Sequence, residues 1–294
     1  MILNHNHTID GSITVHSRGG IGNQLFIFGA GLALADQISS NLHLEICLHI
    51  LNPDHPFMLN QLIPYFSIEL QERIEVFPIP SSHIRRRLLM KSIPTCCSYN
   101  EPSLRYDPQF FSLNSGICAS GYFQSWKYLK HLSVSRVNDI GSAIHQLGES
   151  STKFEARDIV LHFRRGDYLN PGTIEVHGVL GFDYYVRSIN QLREIGFNGE
   201  IWSISESKID DIRSLEDTIG SKIHEINGLS IWQDLSLLIN APSLVIANST
   251  FSWMGGWLCS LDRPVIAPSP WFKTQIYDTS DLIPPNWDTV SHDF

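Results

Sequence analysis

The stretch IVLHFRRGDY (residues 159–168) decides the fold of the second half of the chain. Its first five residues form an apolar run of strand length, and two arginines and a glycine end that run abruptly. Bounded apolar runs of this length are typical of strands in the interior of a sheet. We predict four further strands of the same kind downstream, at residues 200–205, 222–226, 244–247 and 265–267.

Helical periodicity separates these predicted strands. Strands that alternate with helices of this length predict an α/β fold with a parallel sheet wound in the Rossmann manner. Ligands of such sheets bind outside the carboxyl ends of the strands, so the residues directly after each strand carry most of the functional information. The predicted helices span residues 182–195, 207–219, 231–240 and 249–261.

The first half of the chain opens with a β-α-β pattern. We predict a strand at residues 13–17, a glycine turn at 19–22, a helix at 23–38 and a strand at 42–49. The region 53–110 is less regular, with one basic helical stretch at 81–91. A further strand at 117–123 and helices at 125–131 and 137–148 complete this half.

The polar stretch GESSTKFEA (residues 148–156) is the predicted boundary between two domains. Strict strand–helix alternation begins only after it. We therefore predict an N-terminal domain over residues 1–155 and a C-terminal domain over residues 156–294.

Composition excludes several classes of protein. The 294 residues carry 21 Lys and Arg against 30 Asp and Glu, a net charge of −9, so we predict no nucleic-acid partner. The five cysteines form no C-x-x-C pair and the histidines no H-x-x-x-H spacing, which predicts neither disulfides nor a metal site. The first residues lack a secretory pattern, and no apolar run reaches membrane-spanning length, which predicts a cytoplasmic protein.

Two adjacent arginines, Arg164 and Arg165, follow the strand at residues 159–163. A guanidinium group matches phosphate oxygens bidentately and keeps its charge, so this pair is a candidate diphosphate clamp. Asp167 could hold one of the arginines, and His162 points to the same side of the strand as Arg164. The alternative is a structural Arg–Asp ion pair at a strand end.

Two further strand ends suit an anion. At residues 248–251 a strand leads into a helix that begins with Ser249 and Thr250, so it is either a phosphate site or an ordinary N-cap. At residues 19–24 glycines either let backbone amides approach a ligand or make a tight turn. Leu25 occupies the place of the third glycine of a dinucleotide fingerprint, which disfavours a dehydrogenase. The residues predict a metal-independent transferase that binds a nucleotide diphosphate.

Six segments in this order resemble the bacterial and animal α-1,2-fucosyltransferases, over about residues 13–275. The resemblance implies a GT-B-like fold of two facing Rossmann-like domains, with parallel sheets. GDP-fucose would bind to the C-terminal domain, and the N-terminal domain would lie on the acceptor side, with neither a metal nor a cofactor. The segments are GGIGNQLF (19–26), GYFQSWKYL (121–129), HFRRGDY (162–168), Asp234-Leu235, IANSTFSWMGGWL (246–258) and VIAPSPWF (265–272).

The resemblance also implies roles for individual residues. Arg164 would contact the diphosphate and stabilise the charge of the leaving GDP, and Arg165 would help or brace the loop. His162 and Asp234 would lie near the guanine and ribose. The residues implied to line the phosphate, nucleoside and fucose pocket are Asn248, Ser249, Thr250, Phe251, Gly20, Gly22 and Asn23, with Asn23 and Asp167 also implied in catalysis.

The implied reaction is an inverting transfer of L-fucose from GDP-β-L-fucose to the 2-hydroxyl of a galactoside in a surface glycan. The proton acceptor would be Asp167, Glu206 or Asp183. Two alternatives stay open: transfer of another sugar from its GDP derivative, and a non-catalytic relative that binds a nucleotide or glycan. Departures from the family pattern at residues 205–206 and 254 motivate the second. The basic run Arg85, Arg86 and Arg87 is either a solvated helix face or a contact with the inner membrane surface at a lipid-linked acceptor.

Overall fold

The computed structural model describes residues 11–46, 49, 55–77, 99–259 and 262–294. This part of the chain divides into two compact units. The first contains the described residues up to 139 together with 278–282, and the second contains residues 140–277 and 283–294. The polar stretch 148–156 lies in the second unit, just before its first strand, and the predicted boundary after residue 155 stays a prediction.

The first unit is built on a five-stranded parallel sheet. Its strand order is β3-β2-β1-β5-β4, and every pairing is parallel. The strands are β1 (Ile13–His16), β2 (Leu42–Glu45), β3 (Ile74–Phe77), β4 (Tyr99–Asn100) and β5 (Ile117–Ser120). The helices are α1 (Ile21–Gln37), α2 (Leu59–Leu62), α3 (Ile68–Arg73), α4 (Trp126–Leu129) and α5 (Val134–Leu147), whose second part belongs to the second unit.

Helix α1 is buried along most of its length because it is apolar nearly all round. Gly31 permits this close packing. A Cβ atom at this position would lie 2.9 Å from side-chain atoms of both Val15 in β1 and Leu42 in β2. The helix therefore lies directly on the two strands, and its N-terminus is fixed next to the carboxyl end of β1.

The second unit is built on a six-stranded parallel sheet with the order β11-β10-β9-β6-β7-β8. Counted along the chain from β6, this is the 3-2-1-4-5-6 order of a Rossmann fold. The strands are β6 (Ile159–Phe163), β7 (Ile201–Ser205), β8 (Ile223–Asn227), β9 (Leu244–Val245), β10 (Val265–Ser269) and β11 (Asp288–Ser291). The helices are α6 (Pro171–His177), α7 (Phe182–Glu194), α8 (Ile212–Ile219), α9 (Ile231–Asn240) and α10 (Thr250–Trp257).

The predicted α/β class with parallel sheets in both halves is confirmed. The elements that the sequence did not predict are β3, β4, β11, α2, α3 and α6. Several predicted bounds also differ from the structure: α8 begins at Ile212, directly after Asp211 with its φ of +56°, and β5 ends at Ser120, before the stretch in which Phe123 has a φ of +51°. The predicted helix at 81–91, with Arg85, Arg86 and Arg87, lies outside the described residues.

Among the described residues, no helix is both long enough and apolar enough to cross a membrane.

A single buried carboxylate connects the strands at the start of the second sheet. Asp158 is 2% exposed, and its two oxygens accept the backbone N–H groups of Glu155 and Glu200 and the indole N–H of Trp202, each at 2.9 Å. Hydrogen bonds to a charged acceptor are stronger than neutral ones.

We predict that Asp158→Asn lowers the free energy of unfolding by about 2–3 kcal/mol, because an amide turns one acceptor into a donor that faces N–H groups. Denaturant unfolding measures this change. The exposed Asp217→Asn is the matched control and should stay within about 0.5 kcal/mol of wild type. Equal stability of the two variants would contradict the prediction.

Candidate functional site

The strand order of the second sheet reverses between β6 and β9. At such a reversal the connections on the two sides diverge and leave a crevice at the carboxyl ends of the strands, where ligands of α/β folds bind. The segment 164–168 directly follows β6, and the segment 248–251 follows β9. The topology therefore brings these two predicted segments to one edge of the sheet.

Hydrogen bonds hold the two segments together. The hydroxyl of Tyr168 donates to the carbonyl oxygen of Asn248 at 2.9 Å. The side-chain amide of Asn248, which is 1% exposed, donates to the carbonyl oxygens of His177 at 2.7 Å and Trp271 at 3.2 Å. The side-chain N–H groups of Asn248 are therefore used to join the ends of α6 and β10 to the segment after β9.

Arg164 forms an ion pair with Glu206 at this edge. The register explains the pairing. Phe163 of β6 lies opposite Ser205 of β7, so Arg164 and Glu206, which directly follow these two residues, lie side by side. Gly166 gives the carboxylate room, since a Cβ atom there would lie 2.0 Å from an oxygen of Glu206. The ion pair shows that the partly exposed guanidinium of Arg164 is within reach of a carboxylate, which fits both a structural ion pair at a strand end and a site for an anion.

The structure separates the two adjacent arginines. The guanidinium carbon of Arg164 lies 5.3 Å from the centroid of the Tyr168 ring, whereas that of Arg165 lies 5.9 Å from the centroid of the Phe182 ring in α7. Arg165 therefore lies against a helix and does not share the contacts of Arg164.

The three candidate bases have different surroundings. Glu206 is bound to Arg164, and Asp183 is bound to Arg187 on the exposed side of α7. Asp167 lies in the 3-10 turn Gly166–Leu169, and its side chain is outside the described part of the structure.

His162 in β6 is a buried, neutral imidazole. Burial and the nearby charge of Arg164 lower the pKa of His162 to about 3. Its ring centroid lies 5.6 Å from that of Phe251, at the start of α10. Within the described part of the chain, its Nδ1 atom has no hydrogen-bond partner. The ring therefore offers an unused polar atom beside an aromatic face.

Helix α10 begins as the sequence predicts. The hydroxyl oxygen of Ser249 accepts the backbone N–H of Phe251 at 3.3 Å, which makes Ser249 an N-cap. Thr250 and Phe251 are half-buried in the first turn. An N-cap satisfies only part of the N–H groups of a first turn, so its presence is compatible with an anion at the same helix end.

Asp234 lies in the first turn of α9, which follows β8 on the far side of β7 from β6. The side chain is 8% exposed, and burial raises the pKa of Asp234 to about 6. Its Oδ1 atom lacks a hydrogen-bond partner among the described residues.

The remaining predicted site residues lie in the first unit, where the strand order reverses between β1 and β5. Gly20 is the N-cap of α1, and Gly22 is buried in its first turn. The Oδ1 atom of Asn23 accepts the side-chain N–H of Gln124 at 2.8 Å. The structure thus groups His162, Arg164, Arg165, Asn248, Ser249, Thr250 and Phe251 at the edge of one sheet, and Gly20, Gly22 and Asn23 at the edge of the other.

Gln24 has a structural role that none of the sequence motifs indicates. This fully buried side chain donates to the carbonyl oxygens of Gly19 and Pro56, each at 2.9 Å, and accepts the N–H of Met58 at 2.8 Å. The signal was available, because a glutamine among the apolar residues of a buried helix needs internal partners. Gln24 therefore fixes the glycine turn to the segment after residue 55.

Within the described ranges, no group of three or more His, Cys, Asp or Glu side chains could hold a metal ion.

The profile of Glycosyl transferase family 11 matches residues 55–291 of the chain. An alpha-1,2-colitosyltransferase of Escherichia coli is 28% identical over 292 residues, which cover 92% of this chain and 95% of the relative. The O-antigen biosynthesis glycosyltransferase WbnK of Escherichia coli is 36% identical over 119 residues, 38% of each chain. Among solved structures, POFUT1 in complex with GDP-fucose has a TM-score of 0.47 at 14% identity and covers 87% of this chain and 98% of its own.

The buried carboxyl of Asp234 makes stability depend on pH. Because the pKa of about 6 in the folded protein lies above the ordinary value of 3.8, the charged form costs stability above pH 6. We predict that Asp234→Asn is more stable than wild type above pH 7, by up to about 3 kcal/mol. This gain should shrink between pH 6 and pH 4 as wild-type Asp234 takes up its proton. Denaturant unfolding across this range measures the difference, and a gain that does not change with pH would contradict it.

Proposed function

Because the chain belongs to Glycosyl transferase family 11, it is a glycosyltransferase, and we propose that it moves L-fucose from GDP-β-L-fucose to the 2-hydroxyl of a galactoside. The observation that carries the proposal is the position of Arg164. This arginine follows β6 at the reversal of the strand order, the neighbouring strand β9 leads to α10, and the neutral, buried His162 precedes it in β6. The acceptor is proposed to be a galactose-containing surface glycan.

The donor is proposed to bind through its diphosphate. A phosphate oxygen would replace the carboxylate of Glu206 on Arg164, and the first turn of α10 would supply backbone N–H groups. The unused polar atoms of His162 and Asp234 would serve the nucleoside, with the ring of Phe251 beside it. A cation and helix amides supply the positive charge, so the reaction is proposed to need neither a metal nor a cofactor.

The chemistry is proposed to invert the configuration at C1 of fucose. As the bond from C1 to the phosphate oxygen breaks, negative charge grows on the leaving GDP, and the fixed charge of Arg164 stabilises it. The proposed acceptor of the proton of the attacking hydroxyl is Asp167 or Glu206, because the donor would free Glu206 from Arg164 whereas Asp183 is bound to Arg187. Asn23 is proposed to bind the transferred sugar.

A second candidate donor is favoured by a specific likeness. The colitosyltransferase relative matches 92% of this chain, and colitose is fucose without its 3-hydroxyl. A pocket that tolerates the loss of one hydroxyl would use the GDP derivative of either sugar.

A contact with the membrane is proposed for one kind of acceptor. If the acceptor is lipid-linked, Arg85, Arg86 and Arg87 are proposed to contact the inner membrane surface.

A transfer assay tests the proposal directly. The purified protein is incubated in EDTA with lactose and GDP-fucose, GDP-colitose or GDP-mannose, and the products are identified by mass spectrometry and by the linkage in NMR spectra. We expect a 2-linked fucosyl product and no mannosyl product. A preference for colitose would assign the second donor. A strict need for Mn²⁺ or Mg²⁺, or transfer of mannose alone, would contradict the proposal, and binding of GDP without transfer would indicate a non-catalytic relative.

We predict that Arg164→Ala lowers kcat by at least about 10²–10³-fold, because it removes the group that stabilises the leaving GDP. Its thermal unfolding should stay near that of wild type, since the pair with the exposed Glu206 contributes little to stability. Arg213→Ala, which removes an exposed arginine from α8, is the matched control and should keep full turnover. Wild-type turnover in Arg164→Ala would contradict the proposed role of Arg164 in stabilising the leaving GDP.

A further inference from the structure

The proposed function leaves one motif of the first unit without a role. The segment GYFQSWKYL (residues 121–129) begins directly after β5, beside the point where the strand order reverses next to β1. We call residues 121–124 the β5 loop. Its last residue, Gln124, is 8% exposed and donates its side-chain N–H to the Oδ1 atom of Asn23 at 2.8 Å. This hydrogen bond spans the reversal of the first sheet.

Glu101 holds the β5 loop in place. It follows β4, and the register places Asn100 opposite Ser120, so that Glu101 comes beside Gly121. One oxygen of the Glu101 carboxyl accepts the backbone N–H of Tyr122 at 2.7 Å and that of Phe123 at 2.9 Å. A Cβ atom at Gly121 would lie 2.5 Å from the Cβ of Glu101, so the loop needs glycine there.

The β5 loop needs such an anchor because its backbone is strained. Phe123 is buried with a φ of +51°, a left-handed conformation that a bulky residue rarely adopts. Strained backbone of this kind persists only where its surroundings hold it, and it is found most often at functional sites. The carboxyl of Glu101 bonds to the N–H of this strained residue and to that of the residue before it.

Charged and titratable neighbours act on Glu101 from two sides. Arg18 donates to the hydroxyl of Ser120 at 2.7 Å, and its guanidinium carbon lies 4.7 Å from the centroid of the Tyr122 ring. Tyr128 is the second titratable neighbour. Burial raises the pKa of Glu101 to about 7, although the backbone N–H groups of Phe123 and Tyr122 and, less strongly, Arg18 and Tyr128 oppose the rise. The carboxyl therefore gains and loses its proton near neutral pH.

We infer that Glu101 is a positioning residue for Asn23, acting through the amides of the β5 loop and the side chain of Gln124. Because Gln124 donates to the Oδ1 atom of Asn23, this hydrogen bond fixes the orientation of the Asn23 amide, whose Nδ2 group is the proposed donor to the transferred sugar. The inference rests on the proposed function, in which Asn23 binds the transferred sugar. This inference gives a role to the first four residues of the GYFQSWKYL segment. Gly121 leaves room for Glu101, the backbone N–H groups of Tyr122 and Phe123 bind the Glu101 carboxyl, and the side chain of Gln124 binds Asn23.

A double-mutant cycle tests this inference. Glu101→Gln, Gln124→Ala and the double variant are compared in fucosyl transfer at pH 8, where wild-type Glu101 is ionised. We expect each single variant to lower kcat by on the order of tenfold, as displacement of a substrate-binding group by a fraction of an ångström does. The kcat of the double variant should be no lower than that of the less active single variant, because both changes break the same series of contacts from Glu101 to Asn23.

Asp107→Asn is the matched control. Asp107 accepts the hydroxyl of Tyr99 at 2.9 Å and the N–H of Gln109 at 3.0 Å, in the same aromatic cluster but outside the β5 loop. It should lower the melting temperature and leave kcat unchanged. If the role of Glu101 were purely structural, Glu101→Gln would likewise have a lower melting temperature and an unchanged kcat. An unchanged kcat in Glu101→Gln would therefore overturn the inference. Losses that multiply in the double variant would overturn it as well.

A second readout requires no turnover. The side-chain NH₂ signals of Asn23 in the NMR spectrum of wild-type protein should shift with a midpoint near pH 7, and they should not do so in Gln124→Ala. Signals that are independent of pH would overturn the inference even if Glu101→Gln fails to fold. If wild type transfers no sugar from any donor, the proposed function fails separately, and the Asn23 signals alone decide whether Glu101 controls its position.

Discussion

A parallel sheet whose strand order reverses beside its first strand leaves room for a ligand at the carboxyl ends of its strands, and this constraint brings together most of the candidate site residues of each unit. In the second unit the reversal between β6 and β9 brings Arg164 and the start of α10 to the same edge. In the first unit the reversal between β1 and β5 brings Asn23 to Gln124. The same topological rule therefore organises both groups of predicted site residues, although the two groups share no sequence motif.

Local charge governs the site despite the net charge of −9. Arg164 follows β6, whose neighbour β9 leads to α10, and the charge of Arg164 helps to keep His162 neutral. In the same unit, burial keeps the pKa of Asp234 above that of an ordinary aspartate. These effects depend on desolvation, which strengthens interactions inside a crevice and leaves distant surface charges screened. An overall acidic surface is thus compatible with a site for an anionic nucleotide.

Much of the fold follows from the sequence, and the exceptions have physical reasons. The limits of β6 and α9 match the apolar run and the helical period residue for residue. The two-residue β4 and the polar edge strand β11 have no pattern of their own and exist through pairing with a neighbour. Candidate residues could be found at strand ends, but their partners could not. The pairs Arg164–Glu206 and Glu101–Gly121 arise from register between strands distant in sequence, which a single sequence does not reveal.

We propose that Arg164, at the reversal of the second sheet, is the anion-binding group of this glycosyltransferase. The most direct measurement is the position of the diphosphate in a crystal structure of the complex with GDP, grown without divalent metal. We expect a phosphate oxygen within hydrogen-bond distance of the Arg164 guanidinium and the carboxylate of Glu206 displaced from it. A nucleotide bound elsewhere, with the Arg164–Glu206 pair intact, would contradict the claim.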